Sequence, residues 1–285
     1  MLVNESKGRE FRKKIKLVVC DLDGTLLNER HEISEENIEA IEQARRQGVY
    51  ITVCSGRIVS MLEHYIKPIG IRGPLIAANG GHIIDTVSQE TLWEKTLKGE
   101  EVIPILDYCR YAGLDYGVLA REACFFSDNS IRVQRFYRYN QLAREKGERE
   151  IPIEFFEKDH DCVRKMKIDK VLIQQLRPGQ FEQAKRFITT HTKLGYTSSE
   201  HGLLEVSAPG ISKGEGVRRL AQMMKIPLEQ TCAFGNYEND ISMFSVVGLA
   251  IAMANSSPGA KAKATVMTKS NNESGVGWGL RNYIL

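Results

Sequence analysis

Residues 14–25 read KIKLVVCDLDGT, a short β-branched apolar run that ends abruptly in two acidic residues and a glycine. Such a run is typical of a buried strand, and the change from apolar to acidic residues marks its carboxyl end. Similar apolar runs follow at residues 49–54 and 74–78, with helical periodicity between them. Wholly apolar strands separated by helices predict a parallel sheet that is covered on both faces.

Two helices are predicted between these strands. The first has Ser34 as its N-cap, and Gly48 marks its end. The second spans residues 57–67 and stops before Pro68, because proline cannot continue a helix.

The middle of the chain has a different pattern. Hairpin-like pieces follow the NGG of residues 79–81, and short strands then alternate irregularly with helices. From about residue 208 the strand–helix rhythm returns. The chain therefore predicts a doubly wound α/β core formed by residues 1–84 and 208–285, interrupted by an α+β insertion of residues 85–207.

Composition excludes several classes of protein. The 285 residues are 42% hydrophobic, and the apolar runs are too short for a membrane span of roughly 20 residues. With 39 basic and 36 acidic residues, the net charge of +3 gives no general field for nucleic acid or an acidic membrane. The N-terminal stretch lacks a signal-peptide pattern, so a cytoplasmic location is expected. The oligomeric state is left open.

The six cysteines form no CxxC pair, and three of them lie in apolar, strand-like runs. We therefore expect buried free thiols in a reducing compartment rather than disulfides or a zinc site.

The segment DLDGT, residues 21–25, is the strongest chemical signal. Ligands of open α/β sheets bind at the carboxyl ends of strands, where this segment lies. One carboxylate can attack while the other moves protons, and a divalent cation would suppress their mutual repulsion. A polar strand-to-loop turn without chemistry is the alternative interpretation, since Asp and Gly favour turns.

Three further segments carry weaker signals of the same kind. CSGR at residues 54–57 places a hydroxyl and a cation at a helix start, which suits a phosphate. SKG at residues 212–214 puts a lysine beside the positive end of a helix, an unfavourable position that hints at function. GNYEND at residues 235–240 gathers oxygen ligands for a hard cation. Each segment alone is also consistent with an ordinary helix cap or acidic loop.

In this order, the DLDGT, SGR, SKG and GNYEND segments resemble the motifs of the haloacid dehalogenase superfamily of phosphotransferases. The resemblance covers nearly the whole chain and is greatest to the Cof-type branch, whose α+β cap lies between the second and third motifs. NGG at residues 79–81 and NESGV at residues 272–276 are also similar to that branch. The resemblance implies a Rossmann-like core, with residues 85–207 as the cap domain.

The resemblance also implies catalytic and metal-binding roles. Asp21 would be the nucleophile that becomes an aspartyl-phosphate, and Asp23 the general acid and then base. Mg²⁺ would be held by the Asp21 carboxylate, the Asp23 backbone carbonyl and Asp240, the last through water. Asn236 stands where the family usually has a metal-binding Asp, so it would offer an amide oxygen and one negative charge fewer.

The phosphate-binding roles fall on a second set of residues. By the same resemblance, Ser55 would bind the phosphoryl group with Arg57 beside it. Lys213 would neutralise charge on the nucleophile and the phosphate, and Asn239 would lie near the phosphate.

The predicted function is that of a Mg²⁺-dependent phosphatase acting on a small phosphate monoester, such as a sugar phosphate or a phosphorylated cofactor. Two alternatives stay open: a phosphomutase of the same superfamily, and a non-catalytic phosphometabolite-binding protein whose metal site is weakened at Asn236. The partner is a small phosphorylated metabolite in each case, without nucleic acid or membrane.

Overall fold

The computed structural model describes residues 14–121 and 123–285. Residues 1–13 and residue 122 lie outside the described residues. The chain divides into two compact units. The first comprises the described part of Met1–Arg57 together with Tyr65–Trp93 and Ser212–Leu285, and the second comprises Ile58–His64 and Glu94–Ile211. The sequence predicts domain boundaries at 84/85 and 207/208, and these boundaries remain predictions. No helix in the described part of the chain combines the length and apolar character that a membrane span needs.

The strands of the described residues run in chain order as follows: β1 (Leu17–Cys20), β2 (Tyr50–Val53), β3 (Pro74–Ala77), β4 (His82–Asp85), β5 (Thr91–Glu94), β6 (Leu97–Lys98), β7 (Asp115–Ala120), β8 (Cys124–Phe126), β9 (Ile153–Phe155), β10 (Lys167–Gln174), β11 (Gly195–Thr197), β12 (Leu203–Ser207), β13 (Thr231–Gly235), β14 (Leu249–Ala252) and β15 (Val266–Met267).

The α-helices are α1 (Glu35–Arg46), α2 (Glu63–Ile66), α3 (Gly99–Tyr111), α4 (Val133–Glu145), α5 (Gln180–His191), α6 (Lys213–Met223), α7 (Ile241–Phe244), α8 (Pro258–Lys263) and α9 (Gly275–Tyr283). Short 3₁₀ helices occupy Val59–Met61, Ala78–Gly80, Asp161–Val163, Leu228–Gln230, Glu238–Asp240 and Asn271–Glu273.

The first unit is built on a parallel sheet with the strand order β15-β14-β13-β1-β2. Side chains alternate between the faces of a strand. On one face, Leu17 and Val19 of β1 join an apolar cluster with Val217 of α6. On the other face, α9 lies so close to Phe234 of β13 that a Cβ atom on Gly279 would collide with the Phe234 ring. α9 also packs against α1, where the Gly277 amide donates to Oδ1 of Asn37 at 2.7 Å. Helices therefore cover both faces, and the predicted doubly wound fold is confirmed.

The ends of α1 agree with the sequence pattern. Ser34 is the N-cap, and its side chain accepts a hydrogen bond from the backbone of Asn37. Gly48 follows the helix at φ +82°, a left-handed conformation that glycine adopts without steric strain.

The third predicted strand forms, but mainly in a different sheet. β3 pairs antiparallel with β4 in a small sheet ordered β3-β4-β5. It meets the parallel sheet through a single parallel bridge between Cys54 and Ile76. The Ser55 amide also donates to the Ile76 carbonyl at 3.0 Å, so β3 continues the parallel arrangement where the loop after β2 begins.

The helix predicted for residues 57–67 is largely wrong. The segment forms only the 3₁₀ turn Val59–Met61 and the four-residue α2. The Arg57 carbonyl accepts from the Ala78 amide at 2.8 Å, and Ile58 is extended at ψ +160°. Because the Arg57 carbonyl is bound to the 3₁₀ turn that follows β3, and Ile58 is extended, a helix does not start at Arg57.

The second unit is an α+β structure around a sheet ordered β11-β12-β10-β7-β8-β9, with β6 paired to β10. Its pairs are antiparallel except for β8 with β9. Side chains of α3 and α5 pack with Val171, Ile173, Leu204 and Val206 in one apolar cluster. The unit therefore has a core of its own.

The cysteines are free, and most of them are buried: Cys20, Cys54, Cys109, Cys124 and Cys232. Cys162 is exposed, which corrects the expectation of buried thiols at that position. It lies in the 3₁₀ turn Asp161–Val163 rather than in an apolar strand.

Candidate active site

The predicted catalytic segment lies at the carboxyl edge of the parallel sheet. Cys20, the last residue of β1, is level with Val53 on β2 and with Phe234 on β13. The residues that follow these strands therefore meet at the same edge. The Asp21 amide donates to the Phe234 carbonyl at 2.9 Å and extends this alignment by one residue. The sheet thus brings the DLDGT, SGR and GNYEND segments together.

Lys213 links two of the predicted carboxylates. It is the first residue of α6 and is 1% exposed. Its Nζ donates to Oδ1 of Asp21 at 2.5 Å and to Oδ1 of Asp240 at 2.6 Å. A cation at a helix N-terminus opposes the helix dipole. Here two buried carboxylates compensate for that unfavourable position.

The charges of this cluster do not balance. Burial raises the pKa of Asp21 from 3.8 to about 7; Lys213 opposes this shift, and Asp240 adds to it. For Lys213, burial alone would lower the pKa, but the charges of Asp21 and Asp240 outweigh it and raise the pKa above its ordinary value. Two carboxylates share one ammonium group, so the fully ionised cluster is negative. A further cation beside Asp21 would relieve that excess.

A close backbone approach fixes the start of α6. Gly80 has φ +99°, and a Cβ atom on it would collide with the carbonyl of Ser212, the residue before Lys213. Ser212 itself caps α6, because its Oγ accepts from the Glu215 amide at 3.2 Å. The NGG segment after β3 therefore helps to place Lys213.

Asp240 shapes the loop after β13. Its Oδ2 accepts from the backbone amides of Asn236 at 2.7 Å and Tyr237 at 3.0 Å, while Oδ1 accepts from Lys213. The side chain is fully buried. Because both oxygens already accept hydrogen bonds, this geometry makes Asp240 a residue that positions Asn236 and Lys213; its part in holding a metal stays a prediction.

Asp23 is paired with Arg57. Nε of Arg57 donates to Oδ2 at 2.8 Å, and Nη2 donates to Oδ1 at 2.7 Å. The buried guanidinium also stacks on the Tyr65 ring, 4.1 Å from its centroid. Burial alone would lower the pKa of Arg57, but the charge of Asp23 raises it overall. Sequence reasoning placed Arg57 beside the phosphate and missed this bidentate ion pair.

The predicted phosphate-binding residues Ser55 and Asn239 are both buried. Oγ of Ser55 accepts from the Arg57 amide at 3.1 Å, an arrangement that orders the turn after β2. Nδ2 of Asn239 donates to Oδ1 of Asn79 at 3.0 Å. The sequence pattern gives Asn79 no role beyond its place in NGG. Two features mark it as a residue of the site: it is a polar residue just after the third predicted strand, and its backbone is left-handed at φ +54°.

Asn236 lies next to both aspartates of the DLDGT segment. One end of its side-chain amide is 3.0 Å from Oγ1 of Thr25, 3.1 Å from the Asp23 carbonyl oxygen and 3.2 Å from Oδ2 of Asp21. These last two oxygens are the atoms that the resemblance assigns to Mg²⁺. The amide therefore stands at the place predicted for a metal ligand.

The donor set fits a hard cation. No group of three or more His, Cys, Asp and Glu side chains in the described parts of the chain is placed to hold a metal. The set here is instead mixed: a carboxylate, a backbone carbonyl and an amide, all with oxygen atoms to offer. Oxygen donors suit Mg²⁺ rather than zinc or copper. The inner amide atom of Asn236 lies 3.1 Å from the Asp23 carbonyl oxygen and 3.2 Å from Oδ2 of Asp21, so the three groups are close enough to hold one cation together.

Comparison with known proteins agrees with this fold. The sequence pattern described as haloacid dehalogenase-like hydrolase matches residues 18–280. Phosphatase YwpJ of Bacillus subtilis is 30% identical over 279 residues, covering 92% of this chain and 97% of its own length. YwtE of the same organism, a 5-amino-6-(5-phospho-D-ribitylamino)uracil phosphatase, is 31% identical and covers 93% of this chain and 96% of its own. A solved haloacid dehalogenase-like hydrolase from B. subtilis has a TM-score of 0.82 at 27% identity, covering 94% of this chain and 99% of that one.

The chain belongs to the haloacid dehalogenase-like hydrolase family. The predicted family, the fold class and the enzyme class, a phosphatase of this superfamily, are confirmed.

Proposed function

We propose that the protein is a Mg²⁺-dependent phosphatase that hydrolyses a small phosphate monoester through an aspartyl-phosphate on Asp21. One observation carries the proposal: a buried carboxylate at the end of β1 is held by Lys213 and faces a set of oxygen donors. Phosphoryl transfer asks mainly for alignment and for positive charge around the phosphoryl oxygens.

Asp21 is the nucleophile in this proposal. A carboxylate oxygen attacks phosphorus, and the bond from phosphorus to the ester oxygen breaks as the acyl phosphate forms. The Nζ of Lys213, 2.5 Å from Oδ1 of Asp21, keeps the carboxylate in place and offers positive charge to the incoming phosphoryl group. Water then attacks the same phosphorus, which releases inorganic phosphate and regenerates Asp21.

Asp23 moves the protons. It gives one to the leaving alkoxide in the first step and takes one from the attacking water in the second. The bidentate Arg57 pair favours the carboxylate, which is the form that the second step needs. For the first step Asp23 must carry a proton, so a substrate that draws Arg57 toward its own phosphate would free Asp23 to hold it.

The phosphate would be bound by Ser55, Arg57, Lys213 and Asn239. These residues start the loop after β2, start α6 and follow β13, so they surround the end of β1 from three sides. Their hydroxyl, cationic and amide groups suit an anion at this position.

Mg²⁺ would be held by Oδ2 of Asp21, the Asp23 carbonyl and Asn236, with Asp240 supporting the loop. When bound, the cation neutralises charge on the nucleophile and on the phosphoryl oxygens. The excess negative charge of the Asp21–Asp240–Lys213 cluster supports this assignment.

The names of the relatives support a substrate class. YwtE is named a 5-amino-6-(5-phospho-D-ribitylamino)uracil phosphatase, and YwpJ is named a phosphatase. We therefore propose a sugar phosphate or a phosphorylated cofactor as substrate. The buried thiols agree with a reducing compartment and support a cytoplasmic location.

A screen of the full chain tests the proposal. Phosphate release is measured over a panel of monoesters that includes an aryl phosphate, with Mg²⁺ and with a chelator. We expect release only with Mg²⁺, and none from the isosteric variant Asp21→Asn. Binding of phosphate esters without turnover would point to the binding-protein alternative, and transfer of the phosphate within a sugar to the phosphomutase alternative. Equal activity of Asp21→Asn and the unchanged protein would refute the mechanism.

A further inference from the structure

The side-chain amide of Asn236 can point either its oxygen or its nitrogen toward Asp21, Asp23 and Thr25. This direction is called inward below. If the oxygen points inward, it accepts from Oγ1 of Thr25 at 3.0 Å. It then also lies beside two other acceptors, the Asp23 carbonyl oxygen and Oδ2 of Asp21. If the nitrogen points inward, it donates to those oxygens at 3.1 and 3.2 Å, and the outer oxygen faces donors. The two orientations occupy the same space and differ in their hydrogen bonds.

Charge decides between these orientations. An amide oxygen beside a carboxylate oxygen and a carbonyl oxygen is repelled unless a cation lies among the three. An amide nitrogen in the same place satisfies both oxygens without a cation. The inward nitrogen therefore suits the metal-free protein, and the inward oxygen suits the protein with a divalent cation.

The surrounding chain allows this exchange without a change of shape. Gly24, at φ +77°, lies so close to Asn236 that a Cβ atom would collide with the amide. The backbone amide of Asn236 is held by Asp240, and its carbonyl accepts from Ser257 at 2.9 Å. Rotation of the terminal amide group by a half turn exchanges the two atoms while the main chain stays in place.

We infer that the Asn236 amide is a two-position group that substitutes for the metal ion in the metal-free protein and becomes its ligand on binding. The inference rests on the proposed function, since it takes the Asp21–Asp23 oxygens as the metal site. It adds that each metal-binding event must break the hydrogen bonds of the inward nitrogen. An aspartate at residue 236 could make no such bonds. Asn236 therefore stabilises the metal-free protein and weakens its affinity for Mg²⁺.

The first test observes the amide directly. The side-chain NH₂ signals of Asn236 are assigned by NMR from their loss in Asn236→Asp and followed while Mg²⁺ is added. We expect slow hydrogen exchange without metal, when the nitrogen donates to Asp21, and faster exchange with a changed shift at saturation. Unchanged NH₂ signals at Mg²⁺ saturation, with binding verified by calorimetry, would overturn the inference.

The second test compares stability with and without the metal. Thermal unfolding and Mg²⁺ calorimetry are measured for the unchanged protein and for Asn236→Asp. Without metal, Asn236→Asp should unfold at a lower temperature, because two carboxylates then face each other. Asn236→Asp should bind Mg²⁺ at least about tenfold more tightly than the unchanged protein, since ligand charge helps to set affinity. At saturating Mg²⁺ it should therefore unfold at a higher temperature than the unchanged protein, the reverse of the order without metal.

The matched control is Asn255→Asp. The Asn255 side chain donates to the Gly24 carbonyl at 2.8 Å and accepts from the Asn271 amide at 3.1 Å, whereas Asn236 faces Asp21 and Asp23. Asn255→Asp therefore adds the same charge to the same group of loops at a position that does not face the two aspartates. It should show no reversal. A reversal in Asn255→Asp, or none in Asn236→Asp, would overturn the inference. Neither readout uses turnover: a reversal without phosphatase activity refutes only the proposed function, and activity without a reversal refutes only the inference.

Discussion

Each unit of the molecule buries a lysine, and the two lysines differ in their surroundings. Lys213 stands at the start of a helix and binds Asp21 and Asp240, both of which follow parallel strands. Lys170 lies within β10 and pairs with Glu205 of β12, the neighbouring antiparallel strand. The first lysine connects loops at the edge of a sheet, whereas the second connects two strands inside one.

The different surroundings of Lys213 and Lys170 indicate that a buried ion pair can serve either stability alone or stability together with chemistry. Breaking either pair leaves an uncompensated buried charge, which destabilises a fold whatever its function. Only the Lys213 cluster places two carboxylates on one ammonium at the strand ends, where ligands of α/β sheets bind. We therefore expect Lys213 to support both stability and chemistry, and Lys170 to support stability alone.

Removal of the Lys213 charge should have the largest effect. Lys213→Met keeps the length of the side chain but leaves Asp21 and Asp240 buried without their cation. We expect kcat for an aryl phosphate to fall by at least about 10³-fold, and the free energy of unfolding to fall by about 3–5 kcal/mol. Steady-state kinetics and chemical denaturation measure the two effects.

Lys170→Met is the matched control for this prediction. It should lose a similar amount of stability while keeping its kcat. The double variant Lys170→Met with Glu205→Leu should recover stability, because an apolar pair of similar volume often replaces a buried ion pair without loss. A fall in kcat for Lys170→Met as large as that for Lys213→Met would break the comparison between the two lysines.

The next largest effect is expected at Asp23. In Asp23→Asn the general acid and base is lost, so the rate should fall by about 10²-fold for an aryl phosphate and further for an alkyl phosphate. The difference arises because an alkoxide needs protonation more than a phenoxide does. Initial rates at saturating Mg²⁺ measure the two losses. Equal losses for the aryl and the alkyl phosphate would contradict the role of Asp23 as general acid.

The position of the site could be predicted because parallel pairing determines it. Once residues 17–20, 50–53 and 231–235 are strands of one parallel sheet, the residues after them must meet at one edge. The contacts of long side chains could not be predicted in this way. Arg57 can reach either a phosphate or Asp23, and only the three-dimensional arrangement selects the carboxylate. The orientation of the Asn236 amide depends equally on atoms of Asp21, Asp23 and Thr25, a segment far from Asn236 in the sequence.

Elements that depend on distant neighbours were also beyond prediction. The helix expected over residues 57–67 has suitable periodicity, but the bond from the Ala78 amide to the Arg57 carbonyl prevents its start. The pattern of residues 203–207 does not predict β12, since the run is short and contains Glu205. That acid can be buried only because Lys170, 35 positions away, lies on the next strand.

A smaller effect concerns the pH dependence of stability. Burial raises the pKa of Asp21 from 3.8 to about 7, so in the metal-free protein the folded state holds its proton more strongly than the unfolded state. Stability is therefore lost as the pH rises from 3.8 through about 7. Asp21→Asn cannot ionise and should unfold at a higher temperature than the unchanged protein above this range, with the advantage shrinking toward acid pH. A constant difference across the range would contradict this prediction.

The smallest effect compares the thiols of the molecule and should leave activity untouched. Cys162 is exposed, whereas the other cysteines are buried, and burial raises the pKa of the thiols Cys20, Cys54 and Cys109. Only thiolates react with alkylating reagents, so Cys162 should be labelled first in the folded protein, although partial burial raises its pKa as well. Mass spectrometry of the labelled peptides identifies the site. Cys162→Ser should abolish the fast phase and keep kcat unchanged; rapid labelling of Cys20 or Cys54 in the folded protein would show that the sheet opens beside the site.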